Sequence, residues 1–277
     1  LVAVPRAWME RREFAYYTLR DWIDVSKLGV IGNIAYYWCL IECIQNAGVP
    51  VAGMAMSAVP VLVAAVSNIR DKKKGTALAW SRLVPGLLLI VCGFALASMT
   101  EFEMVVRASA DGGVKFWYGV MMGVAALLLW TWYPIRNADW LLAHPGRSPR
   151  AWSTAQGLTT FPFAVVMYLF FWELEPDGTP LLGYDPMWFV FVMVFSGLMG
   201  SWVGIVFWNA MSQRLPTALA GQMIVFETIF AVTYAHVLRM QWPAWNMLAG
   251  MALLLAGVTL SLKVFQAAKA KRGEIVV

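Results

Sequence analysis

Charge is scarce in this chain. Of 277 residues only 13% are Asp, Glu, Lys or Arg, about half the share of a soluble domain, whereas 60% are hydrophobic. No single core hides that much apolar surface from water, which excludes an ordinary soluble globule and a disordered chain alike. Cysteine and histidine are scarce too, at three and two residues. Cys39, Cys43 and Cys92 all fall in apolar runs, where thiols pack as small hydrophobes. His144 falls in a loop and His236 at the end of a run, so no histidine pair forms, and neither a metal nor a cofactor is expected. A Walker loop, HExxH, GxSxG and paired aspartate-rich motifs are all missing, and an enzyme is not expected.

What the chain does have is long apolar runs, with a mean hydropathy of +0.64, fifteen Trp and sixteen Met. A membrane-spanning helix needs roughly 20 mostly apolar residues. Eight segments meet that length: Leu28–Ala47, Val49–Ile69, Leu83–Met99, Phe116–Tyr133, Ala151–Trp172, Met187–Met211, Thr217–Leu238 and Trp245–Phe265. Alternating ten-residue strands of a membrane barrel are not visible, so the expected fold class is an all-α integral membrane protein. Leu1–Pro5 running into Arg6 has the pattern of a helix end, and further spans are expected upstream.

The cations set the orientation, because cytoplasmic loops are rich in Lys and Arg. One side holds Arg6, Arg11, Arg12, Arg20 and Lys27, then Arg70, Lys72, Lys73, Lys74 and Arg82. It also holds Arg136, Arg147, Arg150 and Arg214, and finally Lys263, Lys269, Lys271 and Arg272. The other side has only Arg107, Lys115 and Arg239, against eighteen of the 21 cations on the first. The expected location is therefore the inner membrane, with both visible ends cytoplasmic. The net charge of +5 marks topology, and no nucleic-acid partner is expected. The opposite loops are acidic, with Glu101, Glu103, Asp111, Glu173, Glu175, Asp177 and Asp185, and too short for a receptor head.

A weak internal repeat is present. Ala52–Val61 aligns with Ala220–Ile229 at an offset of 168, and Tyr37-Trp38 with Phe207-Trp208 at an offset of 170. Each block closes one span, turns at Pro50 or Pro216, and opens the next in the opposite sense. Inverted repeats around a midplane site are a common transporter plan. The second block, Phe207–Met211 through Leu215–Ala220 to Val225–Val232, resembles the paired helices of the drug/metabolite transporter superfamily of EamA type. Within it the likeness is greatest to the aromatic amino acid exporters of the YddG kind. The resemblance implies a ten-helix fold of two inverted five-helix halves, of which helices three to ten are visible. Residues 1–27 are then the end of an upstream helix with a cytoplasmic loop. Residues 28–110 complete the first repeat, and residues 111–277 form the second. The implied function is a secondary transporter that exports aromatic or apolar amino acids, or similar small metabolites, by alternating access. A drug or nucleotide-sugar carrier of the same fold is the alternative, and a channel is a weaker one, since no filter-like loop is present. The expected partners are that small molecule and the lipid bilayer.

Polar side chains inside a span are costly unless paired or facing a cavity, and so mark pathways. Glu227 is the one acid deep in a span, and Glu42 lies nearer a span end. Gln222 precedes Glu227 by five residues, about 140° away around a regular helix. Asn33, Tyr36, Tyr37 and Leu40 follow a one-face pattern, as do Trp202, Ile205 and Asn209. The candidate substrate contacts are therefore Asn33, Tyr36, Tyr37, Trp202, Asn209, Gln222 and Glu227. For each, helix packing is the competing use. Trp130, Trp132, Tyr133, Trp152, Trp172, Trp188, Trp242 and Trp245 are expected in interfacial belts. Gly119/Gly123 and Gly200/Gly204 have the spacing of close helix contacts, and Pro60 and Pro162 are expected to break their spans.

Overall fold

The computed structural model describes residues 3–73, 77–99, 106, 113–173, 180, 182–238, 240 and 242–271. All regular structure among them is helical. Two short helices, α1 (Ala3–Met9) and α2 (Arg11–Phe14), lead into α3 (Leu19–Ala47), α4 (Val49–Lys73), α5 (Trp80–Ala97) and α6 (Gly113–Ala143). Then come α7 (Pro149–Glu173), α8 (Pro186–Ser212), α9 (Thr217–Gln222), α10 (Val225–Leu238) and α11 (Trp245–Lys271). Lys74, Glu101, Glu103, Arg107, Asp111, Glu175, Asp177, Arg239 and Arg272 lie outside the described residues, as does the side chain of Trp172.

Every one of the eight apolar segments is helical, and among the described residues six helices are both long and apolar enough to cross a membrane. They are α3, α4, α5, α6, α8 and α11. The other two segments meet one of these conditions and not both. In α7 the polar run Ser153, Thr154, Gln156, Thr159 and Thr160 lowers the apolarity of a 25-residue helix. The seventh segment is divided, with α9 ending at Gln222 and α10 starting at Val225.

Local chemistry explains several boundaries. The Thr18 hydroxyl accepts from the Asp21 amide at 3.3 Å while the Asp21 carboxylate accepts from the Thr18 amide at 2.8 Å, which closes a capping box at the start of α3. Gly48 alone separates α3 from α4, at φ +93°, where a side chain would be strained. Within α4 the helix is interrupted at Ala58, two residues before Pro60, whose missing N–H leaves a carbonyl one turn back without its donor. Pro162 behaves otherwise and does not break α7. The Thr159 and Thr160 hydroxyls donate to the carbonyls of Ala155 and Gln156 one turn back, so their polar groups are satisfied within the helix.

Two compact units share the chain: Leu1–Ala35 with Arg136–Arg214, and Tyr36–Ile135 with Leu215–Val277. In the first, α7 packs on α1, on the early part of α3 and on α8. Gly29 makes the α3 approach possible, since a Cβ there would overlap the Thr160 hydroxyl and stand 3.3 Å from that of Thr159. Both α3 and α8 carry a π-helical stretch in this unit, Val30–Ala35 and Ser196–Val203.

In the second unit the main contact is α5 against α11. A Cβ on Gly93 would stand 2.9 Å from the Gly250 carbonyl oxygen, and one on Gly257 would stand 2.7 Å from that of Gly86. The two glycine pairs run in opposite directions along the chain, so the helices are antiparallel with backbones nearly touching. Around them sit Ile90, Phe94, Val225, Leu254 and Val258, all buried. Gly119 and Gly123 of α6 admit Ala47 and Cys43 of α3 in the manner their spacing implies. Gly200 and Gly204 have no such neighbour among the described residues, which corrects the expectation that they pack a helix. The Asn68 amide closes the α4–α5 connection, donating to the Leu78 carbonyl at 3.1 Å and accepting from the Leu78 amide at 2.8 Å.

Candidate functional site

The sequence-derived candidates separate into two groups, one per unit. Asn33, Trp202 and Asn209 belong to the first unit, and Tyr36, Tyr37, Gln222 and Glu227 to the second.

In the first unit a buried polar network ties α6, α7 and α8 together. Asn137 is its hub: its Nδ2 donates to Asn209 Oδ1 at 2.7 Å, and its Oδ1 accepts from Trp152 Nε1 at 2.9 Å and Gln156 Nε2 at 2.8 Å. Asn209 Nδ2 in turn donates to Ser153 Oγ at 2.8 Å. Asn137, Asn209 and Trp152 are all completely buried, so both ends of the Asn209 amide are already engaged. Trp152 is therefore no belt residue: its ring stacks on Trp140 at 3.5 Å and 5°. Trp140 Nε1 donates to the Asp21 carboxylate at 2.8 Å, linking the stack to the cap of α3. Trp202 donates to Thr154 Oγ1 at 3.4 Å and carries the Arg6 guanidinium 4.7 Å above its ring. Asn33, half-buried, lies in the π stretch of α3, and Trp202 lies in that of α8. Such stretches re-aim side chains and occur often at functional positions.

Asn137, Ser153 and Gln156 are absent from the sequence-derived set. The signal was available: Ser153, Gln156 and Thr160 recur at helical spacing in a segment otherwise suited to lipid.

The second unit holds an aromatic column. Tyr36 stacks on Trp130 with ring centroids 4.5 Å apart, and Trp130 stacks on Tyr133 at 5.2 Å. Trp130 and Tyr133 are thus core partners of Tyr36, which corrects their assignment to a belt. Trp188, Trp242 and Trp245 are exposed. Tyr37 sits 5.0 Å from Tyr36 and is exposed, so the two neighbours face different surroundings. The buried Tyr36 hydroxyl is directed at Met56 Sδ, 3.5 Å away, and a thioether is a weak acceptor.

Glu227 follows on α10, exposed, and lies within electrostatic range of both Tyr36 and Tyr37. Gln222, at the end of α9, is completely buried, and neither its Oε1 nor its Nε2 has a hydrogen-bond partner among the described residues. Between Gln222 and Glu227 the backbone switches to shorter-range bonds: the amides of Ile224, Phe226 and Glu227 reach the carbonyls of Gly221, Met223 and Ile224. Glu42, nearer the end of α3, accepts from Trp38 Nε1 at 3.3 Å and Asn46 Nδ2 at 3.2 Å. Among the described residues no three His, Cys, Asp or Glu side chains come together.

The inner membrane protein YtfF of Escherichia coli (strain K12) is 35% identical to this chain over 268 residues, which make up 95% of this chain and 83% of that protein. No family model matches the chain, and no solved structure matches it.

Proposed function

As a member of the family of the inner membrane protein YtfF, a multi-pass inner-membrane family, this chain is, we propose, a secondary transporter. It exports aromatic or apolar amino acids, or similar small metabolites, by alternating access between two inverted five-helix halves. Both visible ends face the cytoplasm, and the protein performs no covalent chemistry on its cargo.

The observation that carries this reading is the pair of interrupted helices beside the aromatic column. After the turn at Gly48, α4 runs nine residues before its interruption at Ala58; after Pro216, α9 runs six residues before the chain re-enters a helix at Val225. Discontinuous helices in corresponding halves are the usual pointer to a midplane transport site. The acid Glu227 and the rings of Tyr36 and Tyr37 supply groups suited to an ammonium and an aromatic body.

Counterflow in proteoliposomes tests the proposal. Vesicles loaded with unlabelled phenylalanine should accumulate labelled phenylalanine in a saturable way, with tyrosine and tryptophan competing. Absence of competition among the three refutes the aromatic assignment, uptake of a drug or nucleotide sugar instead supports the alternative cargo, and unsaturable conduction indicates a channel. For the orientation, cysteines placed at Asp71–Lys74 should be labelled from the cytoplasm and those at Asp177–Thr179 from outside; the reverse pattern overturns it.

A further inference from the structure

The Gln222 amide is fully buried without a hydrogen-bond partner among the described residues. Leaving such a group unpaired is unfavourable, and a folded protein seldom retains one without a use for it. The backbone on either side of it packs on apolar residues. The preceding residue, Gly221, lies so close to Val63 that a Cβ would overlap that side chain. Val63 packs with Val59 and Ile135, against which Met56, Trp130 and Ile224 also lie.

Two more hydrogen-bond donors border the same cluster. Thr131 is buried with an unpartnered hydroxyl, and it lies one turn from Ile135 on the same face of α6. The Tyr36 hydroxyl reaches the cluster through Met56 and, among the described residues, has only the Met56 sulfur as acceptor. Gln222 offers two N–H groups, Thr131 one O–H and Tyr36 one O–H, with no cation among them. Uncharged buried donors are suited to an anionic oxygen acceptor, because hydrogen bonds to charged groups are the stronger ones.

We propose that Gln222 determines specificity by donating to the carboxylate of the transported molecule, with Tyr36 and Thr131 as neighbouring donors. This rests on the carrier reading above and deepens it. Glu227, past the helix interruption and within electrostatic range of Tyr36, meets the ammonium end, so the site takes a small zwitterion rather than an amine or an uncharged drug. The interruption between Gln222 and Val225 is where the chain parts to admit it.

The test uses the full chain with two probes, phenylalanine and phenethylamine, which differ by the carboxylate. In detergent, phenylalanine should raise the thermal unfolding temperature of the wild type and phenethylamine should not. Gln222→Leu should be at least as stable as the wild type without ligand, since it removes an unpaired buried group. Its response to phenylalanine should weaken on the order of tenfold to a hundredfold, the usual effect of losing a hydrogen bond to a charged group. Gln222→Met keeps the length without the donors and should behave alike, which covers the case in which the leucine variant does not fold. Phenylalanine stabilisation of undiminished concentration dependence in either variant, or its absence from the wild type, overturns the proposal. Stabilisation of the wild type by phenylalanine without counterflow overturns only the carrier reading.

Discussion

Replacing Asn137 with Leu removes the hub of the first unit's polar network. Three hydrogen bonds are lost: the one donated to Asn209 and those received from Trp152 and Gln156. Interhelical hydrogen bonds in membrane proteins average about 0.6 kcal/mol, with a maximum near 1.7 kcal/mol. Three average bonds therefore give a floor of about 2 kcal/mol. The true loss lies above that floor, because Trp152 is completely buried and its indole N–H has no other acceptor among the described residues. A destabilisation of about 2–4 kcal/mol is expected. It is measured as the shift in an SDS-induced unfolding curve in mixed micelles, followed by tryptophan fluorescence. Adding Asn209→Leu to Asn137→Leu should cost less than Asn209→Leu alone, since their shared bond is already gone and only the bond to Ser153 remains to be lost. A shift below about 0.5 kcal/mol, or full additivity of the two changes, would mean that the network contributes little to stability.

In the same unfolding assay Gly93→Ala should cost about 1–3 kcal/mol, because its Cβ would stand 2.9 Å from backbone atoms of Gly250 and Leu254 that have no room to yield. Gly200→Ala should be neutral or stabilising, since nothing lies within 4 Å of that position; equal losses at the two sites would contradict the packing described. Glu227→Gln should fold normally, lose most transport and lose the pH dependence of flux, and wild-type rates with an unchanged pH profile would reduce Glu227 to a packing residue. Burial, helped by the nearby Glu13, pushes the Tyr17 phenol above its ordinary value of 10.0, so its contribution to stability is complete below that pH and is lost as pH rises above it. Tyr17→Phe, which removes a buried hydroxyl without a hydrogen-bond partner among the described residues, should be near neutral at pH 7 and should lose stability less steeply in alkali. An alkaline slope identical to the wild type counts against that account.

The helices themselves were legible because spanning length is a long-range signal, and the turn at Gly48 and the interruption before Pro60 were legible because glycine and proline act locally. The division between Gln222 and Val225 has no proline to announce it. It lies beside the tight approach of Gly221 to Val63, a contact between residues distant in sequence. Tryptophan and tyrosine near helix ends suggest a belt by default, and only the partner rings reveal that Trp130, Tyr133 and Trp152 belong to the interior. The π stretch over Val30–Ala35 shifts the phase of α3, so a single helical face drawn through Asn33 and Tyr37 does not describe both sides of it. Gly86, Gly93, Gly250 and Gly257 escaped notice because their spacing of seven matches no four-residue small-residue motif.

The Trp140–Trp152 stack has an optical consequence. Two indoles 3.5 Å apart and 5° from parallel couple their electronic transitions, which isolated tryptophans do not. Among the fifteen tryptophans of the chain, this pair should produce an exciton signature in the far-ultraviolet circular dichroism, on the strong indole transition, that persists only while α6 and α7 hold their register. Assembly of this part of the protein can thus be followed in native lipid without attaching any dye.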